Sequence, residues 1–324
     1  MTSDFDPTEG IHHVTALASD PQRNVDFYTE TLGLRLVKQS VNQDEVHTYH
    51  LFYGDGAGSP GTSMTFFPIE HARPGRAGAG MAQTTSFLVD PDAVDYWVER
   101  FEDLGVEYSD PEQRADETVV PFRDPDGLQL ELVAHPDAPA GTPWDESPVP
   151  AENQIRGFFG VTLALRAAGP TADLLSAMGY ERVGDVDAER QRFRSSGDRG
   201  FVVDIVEDSD RERGVPGAGT VHHVAFRVPN DEVHESWRKA LVARQLNVTD
   251  IIDRKWFHSI YFREPGGVLF EIATENPGYT VDEELDALGT SLVLPEWLEG
   301  RREEIEANLP PLDVSRPATM EAEQ

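Results

Sequence analysis

The chain has 324 residues, no cysteine, and 59 acidic against 27 basic side chains, for a formal charge of −32. Without cysteine there are no disulfides, thiolate nucleophiles, cysteine-bound zinc sites or iron–sulfur clusters, so any metal must be held by histidine and carboxylate. The charge excludes nucleic acid as a natural partner, and no run approaches the roughly 18 apolar residues of a membrane span.

The opening MTSDFDPTEG has neither a basic n-region nor an apolar h-region, so a cytoplasmic protein is expected. Lys38, Lys239 and Lys255 are the only lysines. Self-repulsion of this size weakens a compact chain in dilute buffer and is screened at molar salt, where the Debye length falls to about 3 Å, so a halophilic, salt-adapted setting is expected.

In chain order the sequence repeats itself. The first unit reads as strand HHVTALA, helix PQRNVDFYTETLG closed by Gly33, and strands LRLVKQSV, TYHLFYG and TSMTFFP. After the loop RPGRAGAGMA, the second has a strand and a helix in SFLVDPDAVDYWVERFEDLGV, with Val94, Trp97, Val98 and Phe101 at helical spacing, then the turn and strand FRDPDGLQLELVAHP. The third is the most eroded: GVTLALR, a helix around TADLLSAMG, YERVGDV, QRFRSS and FVVDIVED. The fourth, VAFRVPNDEVHESWRKALVARQLNV followed by FREPGGVLFEIATENP, copies the second.

These are four βαβββ modules, an α+β architecture of two paired-module domains. Chain order divides them as 1–140 (modules one and two), a linker at 141–155 rich in Pro and acid, and 156–278 (modules three and four). Residues 279–324 lie beyond the repeat: VDEELDALG and LPEWLEGRREEIEANLPPL read as amphipathic helices, and the last dozen residues as a disordered acidic tail.

Histidine pairs open the first and fourth units, in GIHHVTA and TVHHVAF. Strand alternation puts one of each pair on either face. Val224, Phe226 and Val228 share the phase of His222 and form an apolar face, which leaves His223, and by the same phase His13, for the opposite face. Aligned units place Thr84 and Gly160 where these histidines stand. At the last-strand position they place Glu271, Glu131, Asp204 and Thr65 in units four, two, three and one. Joining units one and four therefore collects His13, His223 and Glu271, with Thr65 at the fourth corner. Two histidines and one carboxylate with open positions is the facial triad, which suits Fe(II) binding substrate and oxygen together.

On these residues the chain resembles the vicinal oxygen chelate superfamily, which includes glyoxalases, bleomycin resistance proteins and extradiol dioxygenases, and within it the hydroquinone-type ring-cleaving dioxygenases. The similarity runs from GIHHVTA through NVDFYTETLGLRLVKQSVN and SIYFREPGGVLFEIATENPG to LPEWLEGRREEIEANLPPL. It implies an extradiol-type dioxygenase with Fe(II), or Mn(II) as a substitute, on His13, His223 and Glu271, and a small aromatic substrate with O2 as partners. A homo-oligomer is compatible with it. It further implies roles for His12, His222, Thr15, Arg254 and Tyr261: the last two hold a phenolate oxygen, and the first histidine of each pair moves protons. Alternation alone turns His12 and His222 away from the site, so the two readings conflict there. A glyoxalase-type isomerase would want a fourth protein ligand where Thr65 stands. A metal-free binding or resistance protein would not need the triad in register.

If the acidic surface is a salt adaptation, the melting temperature rises steeply from dilute to molar salt, because screening relieves repulsion among unpaired carboxylates. Thermal denaturation across a salt series checks this, and a flat dependence removes the adaptation.

Overall fold

The computed structural model describes residues 6–136, 138–186 and 189–314. The last residues, expected to be a disordered tail, lie largely outside the described ones. All four units have the expected strand–helix–strand–strand–strand order, including the eroded third. Unit one comprises β1 (Ile11–Ala18), α1 (Pro21–Asp26), β2 (Arg35–Asn42), β3 (Glu45–Gly54) and β4 (Ser63–Pro68). Unit two has β5 (Met81–Val89), α2 (Val94–Leu104), β6 (Glu112–Arg114), β7 (Glu117–Arg123) and β8 (Gln129–Ala134). Unit three has β9 (Phe158–Leu165), α3 (Gly169–Ala177), β10 (Glu181–Asp185), β11 (Arg190–Arg194) and β12 (Val202–Glu207). Unit four has β13 (Thr220–Val228), α4 (Asp231–Ala243), β14 (Ile252–Asp253), β15 (His258–Arg263) and β16 (Leu269–Thr274).

The strands form two curled eight-stranded sheets, in the orders β14-β15-β16-β13-β1-β4-β3-β2 and β10-β11-β12-β9-β5-β8-β7-β6. Each sheet takes one unit from either half of the chain: one with four, and two with three. This corrects the grouping of modules expected from chain order, in which 1–140 and 156–278 each paired their own modules. The first strands of units two and three, β5 and β9, lie side by side as antiparallel neighbours. The strands β1 and β13 are then left to close on one another.

Register confirms that the units are equivalent. Within each, the first strand runs parallel to the last, and the pairs Thr15↔Thr65, Ser86↔Glu131, Thr162↔Asp204 and Ala225↔Glu271 occupy the same place. The central pairing is interrupted twice in each sheet. Between β1 and β13, Ile11 faces Phe226 and His13 faces Ala225, leaving His12 as an extra residue; Thr15 faces His223 and Ala16 faces Val221, leaving His222 as another. Gln83 and Phe159 are the corresponding extras between β5 and β9. These are β-bulges, which break alternation and re-aim side chains.

Apolar residues separate onto two faces, as the strand phase predicts. Val14 and Ala16 of β1 and Val224, Phe226 and Val228 of β13 belong to the large core shared with Trp97, Phe101 and Trp237 of the helices. On the concave side of the first sheet, Val37, Phe52, Ala225, Trp256, Phe257, Tyr279 and Leu288 form a separate cluster. Tyr279 and Leu288 come from the segment after unit four, which straps across that side.

In this strap VDEELDALG does not form the expected amphipathic helix; only short 3-10 turns occur at Tyr279–Val281 and Leu285–Ala287. The reason is Lys38 of β2, whose wholly buried ammonium donates to Asp282 at 2.8 Å, Glu283 at 2.5 Å and the Tyr279 carbonyl at 2.9 Å. Satisfying that charge turns both acids inward, where a helix would have left them in water. Two short helices follow, α5 (Glu296–Glu299) and α6 (Arg302–Asn308). No helix among the described residues is long and apolar enough to cross a membrane.

Breaking a buried charge pair from one side leaves the partner uncompensated, at a cost of about 3 kcal/mol. Lys38→Met should lower stability by that amount and expose the 280–291 strap to protease, as denaturant titration and limited proteolysis would show. Unchanged cleavage would mean that Lys38 does not hold the strap.

Candidate metal centre and its cavity

The centre is built where β1, β13 and β16 meet. His13 Nε2, His223 Nε2 and Glu271 Oε2 form a triangle with edges of 3.2, 3.3 and 2.9 Å, and all three side chains are buried. Ligand atoms at right angles around an ion with bonds of about 2.1 Å stand about 3.0 Å apart, so the triangle fits one face of an octahedral site. Glu271 Oε2 is buried with no hydrogen bond of its own despite its two imidazole neighbours, as expected where three lone pairs converge on a cation. The other oxygen, Oε1, accepts from Ser259, which orients the carboxylate.

The bulges decide what the neighbouring histidines do. His13 Nδ1 lies 2.9 Å from His12 Nδ1, and His223 Nδ1 lies 2.8 Å from His222 Nδ1. An imidazole that offers its Nε2 lone pair to an ion carries its proton on Nδ1, so in each pair the ligand donates to its bulged neighbour. Burial first, and the adjacent ligand histidine second, lower His12 and His222 to about 3, so both are neutral acceptors at neutral pH.

The structure brings His13, His222, His223, Arg254 and Tyr261 to one cavity of about 370 Å³, a volume suited to a small molecule. His222 lies there, against Phe67, rather than on the helix-facing side that alternation assigned to it. His12 does not line this cavity. It packs against Phe257 and borders a separate space of about 40 Å³ beneath the strap. Thr15 is fully buried below the triad, its hydroxyl 2.9 Å from His223 Nε2.

Arg254 Nε donates to the Tyr261 hydroxyl at 3.3 Å and Nη2 to exposed Asp44 at 3.0 Å. Burial raises the Tyr261 phenol and Glu271 adds to this, while Arg254 opposes them; the hydroxyl keeps its proton. Phe52, Phe67, Trp256, Phe257, Ile252 and Leu269 supply apolar walls. Sequence reasoning missed His50, Asp44 and Phe257. The signal for His50 was present: it shares strand phase with Phe52, which faces Thr65.

The second sheet answers the same positions differently. Glu131 accepts a bidentate pair from Arg114 at 2.9 and 2.8 Å, and Asp204 accepts one from Arg192 at 2.9 and 3.0 Å. At Gly160, the counterpart of His223, a Cβ would meet the Val202 carbonyl oxygen at 2.1 Å. That cup satisfies its acids with guanidinium groups, and at position 160 it has no room for a side chain.

Comparison with known proteins agrees with this architecture. The sequence profile of the Glyoxalase/Bleomycin resistance protein/Dioxygenase superfamily matches residues 10–132 and 146–272. The chain belongs to this superfamily. It is 45% identical to the Bacillus subtilis protein named "Putative ring-cleaving dioxygenase MhqO" over 308 residues, 95% of this chain and 97% of the relative. It is 33% identical over 306 residues to a chlorohydroquinone/hydroquinone 1,2-dioxygenase of Sphingobium indicum, 92% and 94% of the two chains. A crystal structure of a Bacillus subtilis protein, also named provisionally as a dioxygenase, superposes with a TM-score of 0.92 at 44% identity, covering 95% of this chain and 99% of that one. Glyoxalase I of Zea mays shares the fold, with a TM-score of 0.62 at 15% identity over 82% of this chain and 92% of that one.

Glu271→Ala should abolish binding of Fe(II) or Mn(II) while leaving the fold intact, since the carboxylate would be one of three ligands and a buried acid is removed together with its charge. Metal analysis after desalting, beside circular dichroism, reads this. Full metal content in the variant removes Glu271 from the triad.

Proposed function

We propose that the protein is an Fe(II)-dependent ring-cleaving dioxygenase that opens a hydroquinone-type aromatic ring with O2, with Mn(II) able to substitute. The observation that carries this reading is the triad of His13, His223 and Glu271, whose ligand-free side meets a cavity walled by aromatic residues and by the Arg254–Tyr261 pair. The names of the relatives support the same reaction class. Fe(II) held by such a triad supplies open positions and the redox chemistry through which a ring and O2 react.

The remaining work falls to side chains. A catechol grips a metal with two adjacent oxygens, but the oxygens of a hydroquinone are para and only one can reach it. Direction must then come from the protein. Tyr261 and Arg254 are placed to hold the phenolic oxygen, with the guanidinium stabilising negative charge as it develops. His222, neutral and with its Nδ1 accepting from His223, presents its Nε2–H to the cavity and would donate a hydrogen bond to a substrate oxygen there. His12 acts behind the ligand, fixing the His13 tautomer through the Nδ1 contact. The aromatic walls bind the ring and keep water out. Thr65, which occupies the fourth corner and is bonded to Thr15 and His50, supplies no carboxylate, so the four-ligand site of an isomerase is not favoured.

Tyr261→Phe should reduce turnover of a hydroquinone by about tenfold to a thousandfold, the range for loss of a positioned hydrogen-bond or proton-transfer group, without loss of metal. A chelating catechol should depend on Tyr261 much less. Oxygen-electrode rates for both substrates decide it. An equal fall for both overturns the monodentate reading, and no oxygen uptake with either by the wild type overturns the dioxygenase.

A further inference from the structure

Two charged side chains meet in the cavity wall, and they come from different units. The hairpin joining β2 to β3 in unit one turns through Gln43 and Asp44, and Asn42, Gln43 and Asp44 all line the cavity. The Asp44 amide donates to Asn42 Oδ1 at 3.0 Å, which shapes the turn. Gln43 Nε2 donates to the Arg254 carbonyl at 3.1 Å, and Arg254 Nη2 donates to Asp44 Oδ2 at 3.0 Å, so the turn grips the residue after β14 of unit four by both backbone and side chain. The Arg254 side chain is 16% exposed and that of Asp44 75%, which puts the carboxylate at the solvent end of the pair. Among the described residues that line the cavity, these two are the only Asp, Glu, Lys or Arg.

A guanidinium can seat a carboxylate or sulfonate with paired bonds on two of its edges, Nε with Nη2 and Nη1 with Nη2. Both edges use Nη2. Asp44 holds that nitrogen, and the Tyr261 hydroxyl accepts from Nε at 3.3 Å. Left alone, an arginine in an aromatic-walled cavity would draw anionic rings into it. With Asp44 in place, an incoming anion finds the seat filled and a like charge beside it. A single phenolic oxygen needs no paired seat and meets the Tyr261 side of the guanidinium, while an uncharged ring is bound by Phe52, Phe67, Trp256 and Phe257.

We propose that Asp44 is a specificity-determining residue: by occupying Arg254 Nη2 it admits uncharged phenolic rings to the cavity and turns away rings that carry an anionic substituent. This rests on the reading that a phenol binds in this cavity. It concerns the other substituents of the ring, on which the triad exerts no choice, and it gives the unit-one hairpin a part in selecting what reaches a site built mainly on unit four.

The test compares 4-hydroxybenzenesulfonamide with 4-hydroxybenzenesulfonate, which have nearly the same shape and differ in charge at neutral pH. A sulfonate is a weak metal ligand, so its charge is read at Arg254 and not at the triad. Isothermal titration calorimetry on anaerobic Mn(II)-loaded protein gives both affinities. Wild type should bind the sulfonamide and discriminate against the sulfonate. Asp44→Ala, at an exposed position that the fold does not need, should tighten sulfonate binding by about tenfold, the scale of one charge-assisted hydrogen bond, and change sulfonamide binding far less. Asp44→Asn, which keeps an acceptor but drops the charge, should fall between. Adding Arg254→Met to Asp44→Ala should erase the gain. Equal affinity of wild type for the two ligands overturns the proposal, as does a gain shared equally by both ligands in Asp44→Ala, or a sulfonate gain that survives loss of Arg254. Failure of the sulfonamide to bind wild type or any variant instead overturns the placement of a phenol in this cavity, and the proposal with it.

Discussion

The antiparallel pairing of β1 with β13, bulged at His12 and His222, is the constraint on which the site depends. In a regular pair, consecutive histidines diverge to opposite faces, and one of each would be spent on the helix-facing core. The bulge inserts a residue and keeps both imidazoles near the concave side. His13 and His223 then each have a neighbouring imidazole at hydrogen-bond distance from Nδ1. Ligand and orienting group thus come from adjacent positions in one strand, and the tautomer that frees Nε2 is set locally.

The same bulges occur in the second sheet, so the architecture is general and the chemistry is a matter of what fills it. Gln83 and Phe159 replace the bulged histidines there, Gly160 stands against the Val202 backbone, and arginines answer Glu131 and Asp204. A carboxylate that accepts two guanidinium bonds has few lone pairs left for a cation. The first sheet differs because Ser259, a neutral donor, serves Glu271 and leaves its second oxygen to the centre. The strap completes the concave side, with Tyr279 and Leu288 joining Trp256 and Phe257, and Lys38 is the charge that pulls it down.

The triad was legible in the sequence because repeats supply their own alignment: histidines occur in units one and four, and Glu271 falls in register with them. The strand phase that separated His223 from Val224 and Phe226 also holds. What alternation could not show was the bulge, since an extra residue in one strand becomes visible only against its partner. For that reason the position of His222 was contradictory. Grouping modules by chain order failed on a similar point, because strand edges pair by proximity in space and β1 finds β13. The strap helix was misread because amphipathic spacing in VDEELDALG says nothing of a buried lysine that captures Asp282 and Glu283. Arg254 and Tyr261 came from resemblance alone, and His50 was passed over because its partner is a threonine rather than a ligand.

The central claim is that one sheet makes an ion site and its twin does not. Anomalous diffraction from crystals grown with Mn(II) tests it most directly. The account predicts a single strong peak per chain within bonding distance of His13 Nε2, His223 Nε2 and Glu271 Oε2, and none near Glu131 or Asp204. A peak in the second cup, or an ion in the first held without Glu271, would contradict it.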